Sequence, residues 1–230
     1  MSSSAEIRTE SLEVRRTALV AMLGPQGAAL SSVRELWYVL HGYAMRAAPF
    51  LEDFRAIADG KRLLVAPEAL SRFYDGTLSP GAHRNAPVVA SWMTRDERAS
   101  EIADYLEYLD TVHATITARL DGARPTVTVL GFSQGGATAA RWVASGGVPA
   151  ARLVVWGSAL APELDIVTAG LPLRRPETVF VVGSSDGYIT PKIVAGEVER
   201  LRAARFPFRQ LSFDGGHRLD DGMLRQLTSP

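Results

Sequence analysis

Apolar residues recur along this chain at two periods. Short runs rich in β-branched and aromatic residues, bounded by glycine or proline, alternate with longer stretches in which apolar positions return every three or four residues. The runs at 33–40 (VRELWYVL), 62–65, 127–130 (VTVL), 153–156, 178–182 (TVFVV) and 208–213 predict strands. Phe50, Leu51, Phe54, Ile57 and Ala58 predict a helix over 45–58, closed by Gly60. Ile102, Tyr105, Leu106, Leu109, Val112 and Ile116 form one stripe of a long amphipathic helix over 96–120. Further helices are predicted from Gln134 onward, over 191–204 and over 219–227. Residues 7–23 read as one or two strands, in the second case an edge hairpin ahead of the main sheet. Residues 1–5 are small and polar and are expected to be disordered. Strands alternating with helices place the chain in the α/β class, with a mostly parallel sheet covered on both faces.

One stretch breaks the alternation. Residues 66–95 carry Pro67, Gly76, Pro80, Gly81 and Pro87 among three aromatics, Phe73, Tyr74 and Trp92. A long irregular loop inside a compact domain is usually functional, so 66–95 is expected near the active site and its aromatics are candidate pocket residues. Ordinary packing explains those aromatics equally well. There are no repeats and no low-complexity linkers, and a length of 230 residues suits a single domain over 1–230 without a large separate cap.

Composition removes function classes rather than adding them. Hydrophobic residues make up 47% and charged residues 22%, an ordinary globular balance. Twenty-five basic and twenty-five acidic residues cancel, with no basic stripe, so no nucleic-acid partner is expected. Cysteine is absent, which excludes disulfides, thiolate metal sites and a cysteine nucleophile. No metal is expected either, since there is no His-Glu-x-x-His and no cluster of histidines. No apolar run is long enough to span a bilayer. Arg15-Arg16 before a short apolar run resembles an export signal. The acids Glu6, Glu10 and Glu13 ahead of it, and the turn at Gly24-Pro25, favour a strand and a cytoplasmic protein. Oligomeric state is not readable from the sequence.

The chemistry gathers around residues 127–136. A strand runs into Gly131-Phe132-Ser133-Gln134-Gly135 and small residues follow at once, the strand–turn–helix signature of a nucleophile elbow. Ser133 is then the candidate nucleophile, with the helix N-terminus beside it. The alternative is a glycine-rich turn whose serine caps the helix. A serine needs a base. His217, after the last strand and behind Gly215-Gly216, fits best, whereas His83 falls in the 66–95 loop and His113 inside the long helix. Asp186, just past TVFVV, is the candidate acid, with an Asp-Gly turn as its alternative reading and Asp165 and Asp214 as the other acids. The order Ser133, Asp186, His217 is that of α/β-hydrolases. The backbone N–H groups of Gln134 and Tyr43 are the candidate oxyanion donors, with His41 and Gly42 supporting the Tyr43 loop.

The motifs LHGYAM, GFSQGG, GSSDGYIT and DGGHRL, in that order, resemble those of the phospholipase/carboxylesterase family of α/β-hydrolases, from about residue 34 to the C-terminus. The resemblance implies an α/β-hydrolase fold, no cofactor, and hydrolysis of small-molecule carboxylic esters with short to medium acyl chains. Acyl-protein thioesterase or lysophospholipase activity is the alternative, as is a non-catalytic binding protein on the same fold. The family's thioesterase branch usually has Leu-Gly where this chain has Tyr43-Ala44, and often a Val-Pro in the acid loop where this chain has Ile189-Thr190-Pro191. The 66–95 segment also departs from the thioesterase pattern. These differences favour a carboxylesterase.

Overall fold

The computed structural model describes residues 6–76, 86–167 and 171–228. The expected disorder of 1–5, and His83, lie outside the described residues. Seven strands make the main sheet: β1 (Val20–Leu23), β2 (Glu35–Leu40), β3 (Arg62–Pro67), β6 (Thr126–Phe132), β7 (Arg152–Trp156), β8 (Glu177–Gly183) and β9 (Arg209–Phe213). Their order is β1-β3-β2-β6-β7-β8-β9, and every pairing is parallel except β1 with β3. This is the α/β-hydrolase arrangement that the sequence predicts.

Alternating side chains of the parallel strands fill two separate cores. Leu36, Tyr38, Val65, Val129 and Val155 face one side, against α2 (Arg98–Ala118) and α3 (Gln134–Ser145). Trp37, Val39, Leu64, Leu130, Val154 and Trp156 face the other, against α1 (Ala47–Glu52) and α6 (Asp221–Thr228). Burial on both faces is why these strands read as continuous apolar runs rather than as alternating ones. The predicted stripe of α2 faces the core through Tyr105, Leu109, Val112 and Ile116, with Ile102 and Leu106 partly buried beside them. Leu201 anchors α5 (Pro191–Ala203), while α4 (Leu171–Arg174) is a single short turn.

Three expectations need correction: the helix predicted over 45–58 is two pieces, α1 and a separate 3-10 turn over Arg55–Ile57, and two others concern strands. Residues 6–19 form no strand; only Val20–Leu23 pairs, as an antiparallel edge on β3. β1 is the terminal strand, and its outer edge stays unpaired among the described residues, with Ile7, Leu12 and Val14 of the preceding segment exposed rather than packed on the sheet. The 66–95 segment is not irregular throughout either. It contains an antiparallel hairpin, β4 (Ser71–Tyr74) with β5 (Val88–Ser91), with Phe73 opposite Val89 and Tyr74 opposite Val88. Ala44 N–H donates to the Ala90 carbonyl at 3.0 Å, joining this hairpin to the loop after β2.

Candidate active site

Parallel strands end together, so residues just past them share one rim. His41 follows β2, Ser133 follows β6, Gly157 follows β7, Asp186 lies beyond β8 and His217 beyond β9. In open α/β sheets that carboxyl rim is where ligands bind.

The turn at Ser133 has φ 53° and ψ −120°, a conformation unfavourable for any residue with a side chain. Neighbouring glycines make it feasible. A Cβ on Gly131 would lie 2.0 Å from the Gly135 carbonyl oxygen, and one on Gly135 would lie 2.2 Å from that of Leu40. Strand β6, helix α3 and the end of β2 therefore touch backbone to backbone. Ser133 N–H donates to the Trp156 carbonyl at 2.8 Å, fixing the turn to β7. The Ser133 side chain makes no capping bond to α3. The reading of this serine as a helix cap is thereby overturned, and its hydroxyl remains half-buried on the rim.

Asp186 and His217 are brought together by the loops after β8 and β9. Ser184 N–H donates to Phe213 O and Ser185 N–H to Gly215 O, both at 2.9 Å, extending the strand pairing past the sheet. The Asp186 carboxylate divides its work. Oδ1 accepts from the N–H groups of Tyr188 at 2.8 Å and Ile189 at 2.9 Å, and Oδ2 meets His217 Nδ1 at 2.8 Å. The turn reading and the acid reading of this residue thus describe its two oxygens. Burial works to raise the Asp186 pKa, but the Ile189 N–H, the His217 ring and the Tyr188 N–H outweigh it and hold the carboxyl below its usual range. With Nδ1 turned to the carboxylate, Nε2 is the nitrogen left for chemistry. The imidazole lies between Phe132 and Tyr188, each with its ring centroid at 4.7 Å. Gly157, at φ 54°, leaves room for it, since a Cβ there would be 3.0 Å from His217 Cε1. His217 meets Phe132, the residue before Ser133, and no hydrogen bond joins its ring to the Ser133 hydroxyl in this resting arrangement. Such bonds are often long in unliganded hydrolases and tighten with substrate.

The other candidate acids are engaged elsewhere. Asp214 Oδ1 accepts from the Ser184 hydroxyl and Asp165 Oδ1 from Val167 N–H, both on exposed residues. His113 pairs with the Tyr38 hydroxyl at 2.8 Å in the α2 interface, away from the rim.

The wall across from His217 is the Gly42–Tyr43 loop. His41 is fully buried, with Ala69 N–H donating to its Nε2 at 3.1 Å and Nδ1 facing the Gly42 carbonyl at 2.8 Å. An acceptor at Nε2 puts the proton on Nδ1, so the ring is a neutral bridge between β3 and this loop. Burial lowers its pKa, against smaller opposing effects of the Gly42 carbonyl and Glu68. Buried Glu68 adds a second brace, accepting from Arg46 Nε at 2.6 Å and Arg72 Nε at 2.9 Å. Among the described residues the N–H groups of Tyr43 and Gln134 have no backbone acceptor.

The three aromatics of 66–95 separate. Trp92 is 2% exposed; its Nε1 donates to the His41 carbonyl at 2.8 Å and its ring packs on His41 and Tyr105. As a pocket wall it is a misreading: the indole is used up in bracing. Phe73 is half-buried against the exposed Tyr43 ring, with centroids 5.5 Å apart. Tyr74 is exposed and, by strand alternation, projects from the opposite face of the hairpin to Phe73. Sequence reasoning assigned Gln134 only its backbone. Its side-chain amide accepts from Trp92 N–H at 2.9 Å and donates to the Met93 carbonyl at 2.8 Å, tying the 91–93 stretch to the head of α3. It also missed Tyr188, whose only signal was an aromatic two residues after the candidate acid.

Next to the rim, Ser158, Phe180, Ile189, Ile193, Val194 and Phe208 line an apolar cavity of about 30 Å³, room for roughly two waters. Among the described residues no group of three or more His, Cys, Asp or Glu could hold a metal ion, and no helix is long and apolar enough to cross a membrane.

A family model described as Serine hydrolase (FSH1) matches residues 38–219. No curated protein matches the chain. Among solved structures, acyl-protein thioesterase 2 from Zea mays is 16% identical with a TM-score of 0.65, over 92% of this chain and 98% of that one. Esterase PE8 is 16% identical with a TM-score of 0.64, over 93% and 97%. A phospholipase/carboxylesterase from Dyadobacter fermentans DSM 18053 is 17% identical with a TM-score of 0.64, over 94% and 96%. Likeness at these identities is a likeness of fold.

Proposed function

Starting from the FSH1 serine hydrolase family, to which this chain belongs, we propose that it is a carboxylesterase acting on short- to medium-chain carboxylic esters through an acyl-enzyme on Ser133. His217 Nε2 takes the Ser133 proton as the oxygen attacks the ester carbonyl, and the N–H groups of Gln134 and Tyr43 receive the resulting oxyanion. The tetrahedral intermediate collapses, the acyl–alkoxy bond breaks, and His217 returns the proton to the departing alcohol oxygen. Water then gives its proton to His217 and attacks the acyl-enzyme, releasing the acid and restoring Ser133. Asp186 holds the imidazole's tautomer and stabilises its charged form at both stages.

The observation that carries this reading is the strained turn at Ser133, with its hydroxyl uncommitted to capping, on the same rim as the hydrogen-bonded His217–Asp186 pair. The Tyr43-Ala44 and Ile189-Thr190-Pro191 sequences are the support for an ester over a lipid-modified protein as substrate.

A serine-directed fluorophosphonate is expected to label wild-type protein at Ser133 and not the Ser133→Ala variant. That variant should lose on the order of 10⁵–10⁶ in kcat while staying folded. Near-normal turnover without Ser133 would end the assignment. A folded wild type that takes no label would instead favour a binding protein. Parallel assays of p-nitrophenyl esters of graded chain length, a thioester and a lysophospholipid should give the highest kcat/KM for the shorter esters. A thioester or lysophospholipid preferred over every ester would replace this reading with its alternative.

A further inference from the structure

Tyr188 is 74% exposed, yet it lies on a tightly held backbone. Its N–H is bound at 2.8 Å by Asp186 Oδ1, the same carboxylate whose other oxygen holds His217. Its ring centroid is 4.7 Å from that of the imidazole, at an interplanar angle of 46°. Phe132, the other aromatic beside His217, is buried, and the core accounts for it. Nothing in the core accounts for a tyrosine ring fixed in place and left in solvent. We propose that Tyr188 is the specificity-determining platform for the alcohol portion of the ester, so that the preferred substrates are esters of alcohols carrying an aromatic ring.

The argument rests on the Ser133–His217 reading and then follows the proton. His217 must deliver it from Nε2 to the leaving oxygen, because Nδ1 faces Asp186. The leaving oxygen therefore comes within hydrogen-bond reach of the imidazole, and the first carbons of the alcohol pass alongside the ring that flanks it. That ring is Tyr188. A flat, apolar, accessible face held at fixed backbone gains most from another aromatic ring, stacked offset or edge to face. The adjacent cation offers no competing handle. Arg218 is turned away, its guanidinium 5.2 Å from the Phe213 ring centroid and bonded to Asp220. The other exposed aromatic near the rim, Tyr43, packs against half-buried Phe73 of the β4–β5 hairpin and belongs to the loop that would hold the carbonyl oxygen, after β2 and not after β8.

The test holds the acyl group constant. Benzyl acetate, cyclohexylmethyl acetate and ethyl acetate differ in the alcohol only, and the first two are similar in size. Wild type should prefer benzyl over cyclohexylmethyl acetate. Tyr188→Ala should lower kcat/KM for benzyl acetate by about three- to tenfold, erase that preference, and leave ethyl acetate within about twofold. Tyr188→Phe should retain the wild-type pattern, since the face and not the hydroxyl is used. An equal loss on all three esters in Tyr188→Ala would mean that the ring only props His217, and unchanged kinetics would mean that it does nothing; either overturns the proposal. Fluorophosphonate labelling of Ser133 accompanies each variant. A labelled, active wild type without alcohol discrimination sinks this inference alone, and an unlabelled, inactive one sinks the serine esterase reading with it.

Discussion

The two halves of the active-site rim are held in place by different means. On one side, Gly131 faces the Gly135 carbonyl and Gly135 faces Leu40 and His41, so turn, helix and loop meet with no side chain between them. On the other, Asp186 and His217 stand on loops tied by two backbone bonds, and their final placement depends on three hydrogen bonds to one carboxylate. Close packing of backbone on backbone thus sets Ser133 and the Gln134 N–H beside it. His217, the proposed proton carrier, is set by polar contacts that a one-atom change can redirect. The first half should fail by unfolding and the second by losing turnover.

The largest effect that would sharpen this contrast is expected from Asp186→Asn. The amide still accepts from Tyr188 and Ile189 N–H, so thermal stability should barely move, whereas kcat should fall by about 10⁴ as the imidazole loses its orienting charge. A loss below tenfold in steady-state kinetics would break the comparison. Gly135→Ala tests the opposite half. With the new Cβ 2.2 Å from a backbone oxygen, urea unfolding should show a loss of at least about 3 kcal/mol. Gly187→Ala, in the acid loop and with nothing within 4 Å, should stay within about 0.5 kcal/mol. Equal effects at the two glycines would remove the distinction.

His41→Ala should cost about 1–3 kcal/mol by stranding the Ala69 N–H and the Gly42 carbonyl. The same variant reports on pH. Burial lowers the pKa values of His41 and His113, so their contribution is complete above the unfolded-state value of about 6.5 and declines as pH falls below it. The unfolded chain binds protons there that the buried rings do not. The urea midpoint of wild type should drop between about pH 6.5 and 5, and less steeply in His41→Ala. Glu163 adds a further decline at lower pH. Burial opposes its ionisation, but Arg141, its own backbone N–H and Arg98 outweigh that and hold its carboxyl at about 2, so its contribution fades from the ordinary carboxylate range down to that value. A midpoint that stays flat from pH 7 to 5 would contradict the histidine assignment.

What the sequence revealed follows the same division. The strand–glycine–serine–glycine pattern fixes its own local geometry, so the elbow could be read without knowing any distant contact. Strands buried on both faces advertise themselves, and their order put Ser133, Asp186 and His217 on one rim. The side-chain braces could not be read. Nothing near Gln134 announces that its amide will reach Trp92 and Met93. Trp92 looked like a pocket aromatic because a tryptophan in a proline-rich stretch gives no sign of which residues will cover it. The β4–β5 hairpin was hidden because Ser71–Tyr74 and Val88–Ser91 are short and separated by a glycine- and proline-rich segment. Residues 7–19 erred in the opposite direction: the outer edge of β1 is open to them, but strand propensity without an apolar face to bury leaves the chain unpaired, with Ile7, Leu12 and Val14 in solvent.

The bare contact of Gly135 with the end of β2 has a consequence for divergence. Because Gly135 sets the head of α3 against the end of β2 main chain to main chain, and buried His41, Glu68 and Trp92 brace the loop beyond, side chains farther out, such as those of Tyr43, Phe73 and Tyr188, can be exchanged without retuning that spacing. The proposed reaction centre is thereby insulated from the proposed selectivity, and one chassis can be re-dressed for new substrates by changing what projects beyond that glycine.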